Sequence, residues 1–426
     1  MVKDINYQYT GVPRGDLEGL YPFILRKGKG AFVEDTSGKK YIDFTASTGS
    51  ILLGYSFNSV DEAVIEHIKK NGNVFITKQS EPRLELAKML CETIPSAEYV
   101  SFHKTGSDAT TAAVRIAKAY NKKEIVLYSG YHGWHDWQLG IFEEYCIKDD
   151  KNINFGYNLN YLEALIKKFE NQISSIVITP DPNFFPDEYI IKVQQIAQSN
   201  GIVFILDEVA SGYKYELGGY QKRVGIIPDL SCFCKGLANG YSLSCVVGNK
   251  KIMKEGLYNS HLWSTFDSEQ ISMVAAIKTQ KFVKENNVIS RINENGKYFK
   301  NLLSTILLKY NINFKFTREN SIFHVIFGNS DLYQLLVDRC LEKGLILPKD
   351  DYFLMMYSHS KGVIDKAVCI LDKVLEEIVL IIPDLSTEED LIKNYKLKVI
   401  YELGGSDDYL SRDFENAPWR FDKKYI

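Results

Sequence analysis

The sequence has few cysteines, and their arrangement excludes two classes of protein. Seven cysteines are scattered along 426 residues, and no two of them form a C-x-x-C pair. A small secreted scaffold built on disulfides needs a dense and even set, so that class is excluded. Because structural zinc sites usually draw their ligands from closely spaced cysteine pairs, we also expect no metal site.

The sequence also lacks any apolar run that could span a bilayer. Its strongest apolar runs, 202–206 and 378–382, are far shorter than the ~20 residues that a membrane helix needs. The first ten residues contain no apolar signal core. We therefore predict a reduced, cytoplasmic protein that has no membrane partner.

An excess of charge of one sign is missing as well. The 51 basic and 54 acidic side chains leave a formal charge of -3, which offers no electrostatic footprint for a nucleic acid. With 45% hydrophobic and 25% charged residues, the composition is that of an ordinary globular chain. A chain of this length usually forms several domains, or one large α/β domain with an attachment. Composition thus predicts an enzyme-sized protein without naming its chemistry.

From about residue 60, apolar strands alternate with helical stretches. The predicted elements are strands at 99–103, 124–128, 173–179, 202–207, 230–234 and 243–248, and helices at 107–120 and 189–198. This alternation predicts a mostly parallel sheet that is covered by helices on both faces. In such sheets, ligands bind beyond the carboxyl ends of the strands.

The two ends of the chain follow other patterns. Segments 31–33 and 41–44 flank a turn and predict a hairpin. Beyond residue 295, a strand is predicted at 321–327, with helices at 332–343 and 362–378. The last forty residues are more polar and have the character of an appended tail.

The segment K-T-G-S at 104–107 lies between a predicted strand and a predicted helix. Gly106 lets the backbone approach a ligand, and Thr105 and Ser107 offer hydroxyls. The start of the helix adds free N–H groups, which suit a phosphate. Ser and Thr are also favoured as helix caps whatever the function, so simple capping is the alternative.

Two acids end the buried strand at 202–207. Asp207 and Glu208 place carboxylates at the edge of the sheet where ligands bind. The same pattern occurs for the metal-organising acid of a nucleotide hydrolase, but the chain has no G-x-x-x-x-G-K-[ST] loop. Glu208 has the simpler alternative of merely ending a strand, whereas Asp207 needs another role.

A lysine and an aromatic loop complete the set. Lys235 follows a predicted strand and precedes a glycine, and burial there would lower its pKa and allow a Schiff base. A solvated lysine at the rim is the alternative. The loop Y-H-G-W-H-D-W at 131–137 carries two histidines, His132 and His135, without a clear third metal ligand. We therefore favour an aromatic platform for a flat ligand.

Together these segments specify pyridoxal phosphate. Its phosphate must be anchored, its ring stacked, its ring nitrogen kept protonated and its aldehyde held by a lysine. The acid matters most for the electronics of the ring. A charge-assisted hydrogen bond, worth roughly 1.5–3 kcal/mol, would keep the ring nitrogen protonated.

Several motifs occur along the chain in a fixed order. They are K-T-G-S-D-A at 104–109, Y-H-G at 131–133, D-E-V-A-S-G at 207–212, K-G-L-A-N-G at 235–240 and S-T-F at 264–266. By these motifs the chain resembles the class III aminotransferases, which are pyridoxal-phosphate enzymes of fold type I. It is most similar to their glutamate-1-semialdehyde aminomutase branch, over about residues 10 to 380.

The resemblance implies an α/β fold of type I. A large domain with a mostly parallel central sheet, covered by helices, would be joined to a small α+β domain made from both chain ends. The implied boundaries are 1–55 and 296–384 for the small domain, 56–295 for the large domain and 385–426 for the tail. A homodimer with the active site at its interface is also implied.

The resemblance assigns roles to individual residues. Lys235 would form the Schiff base and act as the acid and base, and Asp207 would pair with the pyridine nitrogen. The other cofactor contacts that it implies are Thr105, Gly106, Ser107, Tyr131, Val209 and Thr265, the last of them from the partner subunit. The substrates would be a small-molecule amino donor and a carbonyl acceptor.

The chain departs from the aminomutase pattern at three places. Lys104 replaces the usual Asn, and D-S-E-Q at 267–270 replaces a Ser-Gly-Asn-Pro-like turn. Thr48 stands where the aminomutase has an aromatic residue. Arg14 corresponds to the arginine that holds the substrate carboxylate, with a surface arginine near a turn as an equal alternative.

We therefore predict an aminotransferase for a specialised carbonyl compound, such as a sugar or a nucleotide-linked intermediate. A 2,1-aminomutase of the glutamate-1-semialdehyde type is the alternative. A non-catalytic binding protein on the same fold is the third candidate, which the presence of both Lys235 and Asp207 disfavours.

Overall fold

The computed structural model describes residues 23–73, 79–141, 150–349 and 351–402. The strands in these ranges are β1 (Leu25–Lys29), β2 (Phe32–Asp35), β3 (Lys40–Asp43), β4 (Tyr99–His103), β5 (Ile125–Ser129), β6 (Asn152–Asn154), β7 (Ile173–Ile178), β8 (Val203–Asp207), β9 (Leu230–Phe233), β10 (Ser244–Gly248), β11 (Phe314–Phe316), β12 (Ile322–Phe323), β13 (Val325–Phe327), β14 (Leu345–Ile346) and β15 (Phe353–Leu354). The helices are α1 (Asn58–Asn71), α2 (Glu81–Thr93), α3 (Gly106–Asn121), α4 (Leu159–Lys168), α5 (Asp187–Ser199), α6 (Tyr220–Val224), α7 (Lys250–Ser260), α8 (Ile271–Glu285), α9 (Val288–Lys309), α10 (Ser330–Glu342), α11 (Lys361–Ile378) and α12 (Glu388–Glu402).

The central sheet has the order β4-β10-β9-β8-β7-β5-β6 in the described part of the chain. Strand β10 is antiparallel to both of its neighbours, and the other adjacent pairs are parallel. Strand β4 therefore runs in the same direction as β9, and the carboxyl ends of β4, β5, β7, β8 and β9 meet at one edge. The predicted mostly parallel sheet is confirmed.

Both faces of this sheet are covered, as the continuous apolar strands predict. Along β5, Ile125 and Leu127 belong to a core that includes α4 and α5. Val126 and Tyr128 belong to a core on the other face, against α3 and α7. Because successive side chains of a strand point to opposite faces, one buried strand supplies both layers.

A second sheet joins the early and late parts of the chain. The predicted hairpin is confirmed as β2 and β3, which pair antiparallel. Strand β3 pairs in parallel with β14, with Ile42 opposite Leu345. Elements near residue 40 and residue 345 thus share one sheet, while the domain boundaries stated above stay a prediction.

The strand predicted at 321–327 is divided in the structure. Its first half, β12, pairs with β15, and its second half, β13, pairs with β11. Between the halves, the amide of His324 donates to Thr317 Oγ1 at 2.9 Å rather than to a strand. This side-chain bond lets the chain leave one small sheet for the next, which periodicity alone does not reveal.

The predicted tail begins with an ordered helix. In α12, Tyr395 and Val399 are buried against the core that contains α4 and α5. The side chain of Asn394 donates to the carbonyls of Phe327 and Gly328, at 3.0 and 2.9 Å. Residues 403–426 lie outside the described residues.

Two further findings concern the described residues only. None of their helices is long and apolar enough to cross a membrane. Their six cysteines are unpaired.

Candidate active site

The sequence-predicted residues meet at the carboxyl edge of the central sheet. The segment with Gly106 follows β4, and the aromatic loop with Tyr131 follows β5. Asp207 is the last residue of β8, and Lys235 comes just after β9, the neighbouring parallel strand. Residues that are far apart in the chain are therefore brought together by strand direction alone, at the edge where ligands of such sheets bind.

The start of α3 is a capped helix end with a buried serine in its first turn. Thr105 forms a capping box with Asp108: its Oγ1 accepts from the Asp108 amide at 3.1 Å, and its amide donates to Asp108 Oδ2 at 2.8 Å. The capping alternative thus describes the side chain of Thr105. Ser107 is buried, and its Oγ accepts from the amide of Trp134 at 3.3 Å.

Gly106 is required where the helix starts against the next loop. A Cβ at Gly106 would lie 2.8 Å from Val209 Cγ1, so any other residue would push this valine away. Val209 is itself held two residues beyond the strand end, because its amide donates to Asp207 Oδ1 at 2.9 Å. The helix start, Val209 and Asp207 therefore form one packed corner of the site.

Asp207 is buried and paired with a histidine. Its Oδ2 lies 2.8 Å from His132 Nδ1, and both side chains are almost completely excluded from solvent. The ring of His132 stacks on Trp137, with 5.8 Å between ring centroids, and its amide donates to Gln138 Oε1 at 3.0 Å. These contacts fix the histidine ring beside the carboxylate.

His132 contacts Asp207, a pairing that the sequence analysis did not predict. From the sequence alone, two histidines three residues apart with no third metal ligand favour a packing role in the aromatic loop. In the structure His135 turns elsewhere, with its Nδ1 2.9 Å from Thr111 Oγ1. The described residues contain no group of three His, Cys, Asp or Glu that could hold a metal. In the sequence, the Y-H-G motif is the one signal that could have pointed to His132.

The backbone of Lys235 is strained. Its φ is 34°, in the left-handed region that a residue with a side chain rarely adopts, and it opens a short 3₁₀ turn. Close by, the buried Asn239 accepts from the amides of Leu52 and Leu53, at 3.0 and 2.7 Å. Its Nδ2 donates to the carbonyl of Gly54 at 3.1 Å. Asn239 thus fixes segment 52–54 beside the lysine, a role that the K-G-L-A-N-G motif did not suggest.

The segment before residue 52 forms a left-handed turn beside Lys235. Ala46, Ser47 and Thr48 have φ values of 48°, 50° and 56°, and Gly49 follows at 85°. Left-handed backbone costs roughly 1–2 kcal/mol per residue with a side chain, so the surrounding packing must hold this turn in place. A Cβ at Gly49 would lie 3.6 Å from Lys235 Cδ. The exposed Thr48, predicted to meet substrate, is therefore next to the lysine region.

Arg14, the other predicted substrate residue, lies outside the described residues. Two of the predicted cofactor contacts are exposed in the single chain. Tyr131 is 53% exposed. Thr265 lies in an exposed run at 263–266.

Glu208 has a structural role, in agreement with the alternative that it merely ends a strand. Its completely buried carboxylate accepts from the amides of Tyr220 and Gln221, at 2.6 and 3.0 Å, and from Ser211 Oγ at 2.9 Å. Burial raises the pKa of Glu208, and these hydrogen bonds oppose the rise. The carboxylate caps the start of α6 and so closes the loop that follows Asp207.

Two residues that depart from the aminomutase pattern, Lys104 and Glu269, form an ion pair with each other. Lys104 Nζ lies 2.8 Å from Glu269 Oε2, and both side chains are largely buried. Burial alone would raise the pKa of Glu269, but the hydrogen bonds from Lys104 and Ser272 and the charge of Lys104 lower it below its usual value. The expectation that both changes bear on substrate thus has a structural alternative, since each residue stabilises the other.

Replacing Lys104 by methionine is expected to reduce the free energy of unfolding by about 1.5–3 kcal/mol, the usual value of a hydrogen bond to a charged group. The double variant Lys104→Met/Glu269→Met should lose less than the sum of the two single variants, measured by urea unfolding. Because the pKa of Glu269 is lower in the folded chain, the pair stabilises fully above the ordinary pKa of 4.5 and loses its effect as pH falls below it. Strict additivity would contradict the pairing.

The fold and the site together define a class of protein. In this α/β fold, a buried acid and a lysine stand at the ends of two neighbouring strands, and a helix N-terminus lies beside them. This arrangement fits a fold type I pyridoxal-phosphate enzyme. The family model described as aminotransferase class III matches residues 16–375. The chain belongs to this family, and its cofactor is pyridoxal phosphate.

Curated relatives cover most of the chain. It is 33% identical over 352 residues to 2'-deamino-2'-hydroxyneamine transaminase of Streptomyces kanamyceticus, covering 82% of this chain and 89% of that protein. It is 37% identical over 307 residues to 3-aminobutyryl-CoA aminotransferase of Cloacimonas acidaminovorans, covering 70% and 73%. Glutamate-1-semialdehyde 2,1-aminomutase 2 of Lachnoclostridium phytofermentans is 29% identical, covering 73% and 78%.

Solved structures show the same fold at low identity. An omega-transaminase from Sphaerobacter thermophilus superposes with a TM-score of 0.75 at 19% identity, covering 87% of this chain and 99% of that one. The FumI protein of Sphingopyxis sp. MTA144, in a form with PLP, has a TM-score of 0.77 at 21% identity, covering 87% and 92%. The predicted fold type and cofactor are confirmed.

Proposed function

We propose that this aminotransferase moves an amino group from an amino-acid donor to a sugar-like carbonyl compound, with Lys235 as its central catalytic residue. The observation that carries the proposal is the juxtaposition of Lys235 and Asp207 at the ends of neighbouring parallel strands. The N-terminus of α3 lies at the same edge. These groups match the three demands of the cofactor, which are covalent attachment, a protonated ring nitrogen and a phosphate anchor.

Pyridoxal phosphate, when bound, supplies an electron sink for the bond that breaks at the donor carbon. Lys235 would hold the aldehyde and, once displaced by the donor amine, would move the proton at that carbon. Asp207 would hold the proton on the ring nitrogen. His132 would keep the Asp207 carboxylate oriented through its 2.8 Å contact. Ser107 and the helix start would bind the phosphate.

The wall of the site beside Lys235 supports this class of acceptor. Thr48 is exposed there and replaces the aromatic residue of the aminomutase, which leaves more room and adds a hydroxyl. A polyhydroxylated ring is bulky and forms many hydrogen bonds, so both changes suit it. The relative from Streptomyces kanamyceticus is named for a neamine-type substrate, which supports the same class.

Two half-reactions test the proposal. The holoenzyme is first bleached with single L-amino acids, and the visible band is followed. The bleached protein is then offered a keto-sugar, a simple 2-oxo acid or glutamate 1-semialdehyde. We expect the keto-sugar to restore the band fastest. Turnover of glutamate 1-semialdehyde without a separate donor would instead establish an aminomutase.

We also propose that two chains form a homodimer that completes each site. Trp134 and Trp263 are 73% and 82% exposed, and Phe266 is 57% exposed. Large exposed apolar side chains in the segments that carry the predicted cofactor residues indicate an interface. Thr265 lies among them, so in a dimer with two-fold symmetry it would reach the phosphate site of the other chain.

Replacing Thr265 by alanine is expected to weaken cofactor binding about tenfold or more, because one hydrogen bond to a charged phosphate is lost. The measurement is the affinity for pyridoxal phosphate by fluorescence titration. Ser264→Ala serves as the neighbouring control. Sedimentation equilibrium should give a dimer for both variants, and a monomeric wild-type protein that binds the cofactor fully would contradict the proposal.

A further inference from the structure

The loop that carries Thr265 is exposed at its tip and fixed at its base. It connects α7 to α8, and residues 263–266 are exposed. Directly after this tip the chain closes a turn, in which the amide of Glu269 donates to the carbonyl of Phe266 at 3.2 Å. Because Phe266 is the neighbour of Thr265 in the chain, whatever fixes Glu269 also restrains the position of Thr265.

The carboxylate of Glu269 is held by the start of α8 and by Lys104. It accepts from the amides of Ile271 and Ser272, which are the first two residues of the helix, and from Ser272 Oγ at 2.7 Å. Its Oε2 lies 2.8 Å from Lys104 Nζ, which also donates to Ser272 Oγ at 3.4 Å. A carboxylate at a helix N-terminus that is paired with a largely buried lysine is screened little by salt and is held in one place.

Lys104 belongs to the segment that leads into the predicted phosphate site at 105–107. Its carbonyl accepts from Ser242 Oγ at 3.0 Å, and its Nζ donates to the carbonyl of Ser242 at 3.3 Å. The carbonyl of Thr105 accepts from Ser244 Oγ at 2.6 Å. These bonds tie the segment to the start of β10 in the central sheet, so Lys104 offers Glu269 a rigid support.

Arg83 of α2 holds the middle of the same loop. Its Nη1 donates to the carbonyl of Asp267 at 3.1 Å, and its guanidinium lies 5.1 Å from the centre of the Phe102 ring in β4. This contact joins the loop to α2 and to the body of β4. The Lys104–Glu269 pair, by contrast, joins the loop to the residue that directly precedes Thr105.

We propose that the Lys104–Glu269 ion pair positions Thr265 for the cofactor phosphate of the partner subunit. The inference rests on the proposed homodimer, in which Thr265 reaches the site of the other chain. Lys104 stands beside the phosphate segment of its own chain, and Glu269 stands beside the loop that the chain donates. One ion pair therefore connects the two phosphate sites of the dimer, and its two members are positioning residues.

The physical reason is the cost of ordering an exposed loop. A loop tip that is free to move loses conformational entropy when it binds a ligand, and this loss is subtracted from the affinity. A base that is already fixed by an ion pair and a helix cap has less freedom to lose. The hydroxyl of Thr265 can then contribute more of its hydrogen bond to phosphate binding.

A double-mutant cycle tests the inference by cofactor affinity. Glu269→Gln keeps the size of the side chain and removes its charge, and pyridoxal phosphate is titrated by fluorescence into the full chain freed of cofactor. We expect binding to weaken roughly three- to tenfold, which is the usual cost of ordering one side chain on binding. The double variant Glu269→Gln/Thr265→Ala should bind no more weakly than Thr265→Ala alone, because Glu269 acts through Thr265.

Hybrid dimers identify which of the two sites is affected. One chain carries Lys235→Ala, so the visible band reports only the cofactor in the site of the other chain. Glu269→Gln is placed either in the Lys235→Ala chain or in the chain that forms the band. We expect the affinity of the reporting site to fall only in the first arrangement, because Thr265 of that site comes from the Lys235→Ala chain.

Two further variants separate this role from a general loss of stability. Lys281→Met breaks an exposed ion pair between α8 and Glu85 and should keep the wild-type affinity. Lys104→Gln breaks the Lys104–Glu269 pair from its other end and should give the same loss in the same hybrid arrangement.

Three outcomes overturn the inference. They are a wild-type affinity in Glu269→Gln, strictly additive losses in the double-mutant cycle, and a loss confined to the site of the chain that carries Glu269→Gln. A wild-type protein that is monomeric and binds the cofactor fully would instead refute the proposed homodimer, and the inference would fail with it.

Discussion

Replacing Lys235 by alanine is expected to abolish the visible absorption band of the protein with pyridoxal phosphate and to lower kcat by about 10⁴-fold. The variant loses both the covalent attachment of the aldehyde and the amine that moves the proton at the donor carbon. A positioned acid or base alone contributes up to about 10⁴-fold, so the loss of this group should reach that size. The measurements are absorption spectra and the rate of the half-reaction with excess donor.

The control for this variant is Lys222→Ala, which removes an exposed lysine of α6 and should leave band and rate unchanged. Added methylamine should restore part of the rate of Lys235→Ala, because it supplies a free amine at the site of the missing one. A band of normal intensity in Lys235→Ala would show that another lysine holds the cofactor.

Replacing Asp207 by asparagine is expected to lower kcat by about 10²–10³-fold while changing KM for the donor little. The amide keeps the size of the carboxylate: its oxygen can still accept from the amide of Val209, and its NH2 group can donate to the Nδ1 of a neutral His132. It removes the negative charge that holds a proton on the ring nitrogen. Loss of one preorganised electrostatic group usually costs a factor of this size in kcat.

Asp229→Asn is the matched control for Asp207→Asn. Asp229 precedes β9 and lies near the opposite edge of the sheet, where its carboxylate accepts from the amide of Phe204 at 2.8 Å. We expect this variant to affect stability and not the half-reaction. Equal activity of Asp207→Asn and the wild type would show that the carboxylate only supports the fold, and the proposed assignment of Asp207 would then be wrong.

The sequence by itself determined the sheet and predicted two residues, Asp207 and Lys235, that the structure places at the ends of neighbouring strands. Buried parallel strands such as 203–207 are continuous apolar runs. The start of α3 is predicted by Thr105, Gly106 and Asp108. These signals are local, because strand burial and helix capping depend on neighbouring residues in the chain. Since parallel strands end at one edge, Asp207 and Lys235 could be placed together before any coordinates.

Other features depend on residues that are distant in the chain, and only the tertiary structure decided them. The approach of His132 to Asp207 depends on how the loop after β5 folds over β8. The Lys104–Glu269 pair depends on the packing of α8 beside β4. The left-handed turn at 46–48 is unfavourable by local preference and exists because the surrounding packing imposes it.

Lys214 shows the difference most clearly. In the sequence it is one lysine in a polar stretch after D-E-V-A-S-G, and lysines are rarely buried without a partner. Its burial follows from contacts with Asn293 and Ser321, which the chain supplies about eighty and one hundred residues later. Sequence determined which groups are available for chemistry, and the tertiary structure decided which of them are withdrawn from water, because burial is a property of distant contacts.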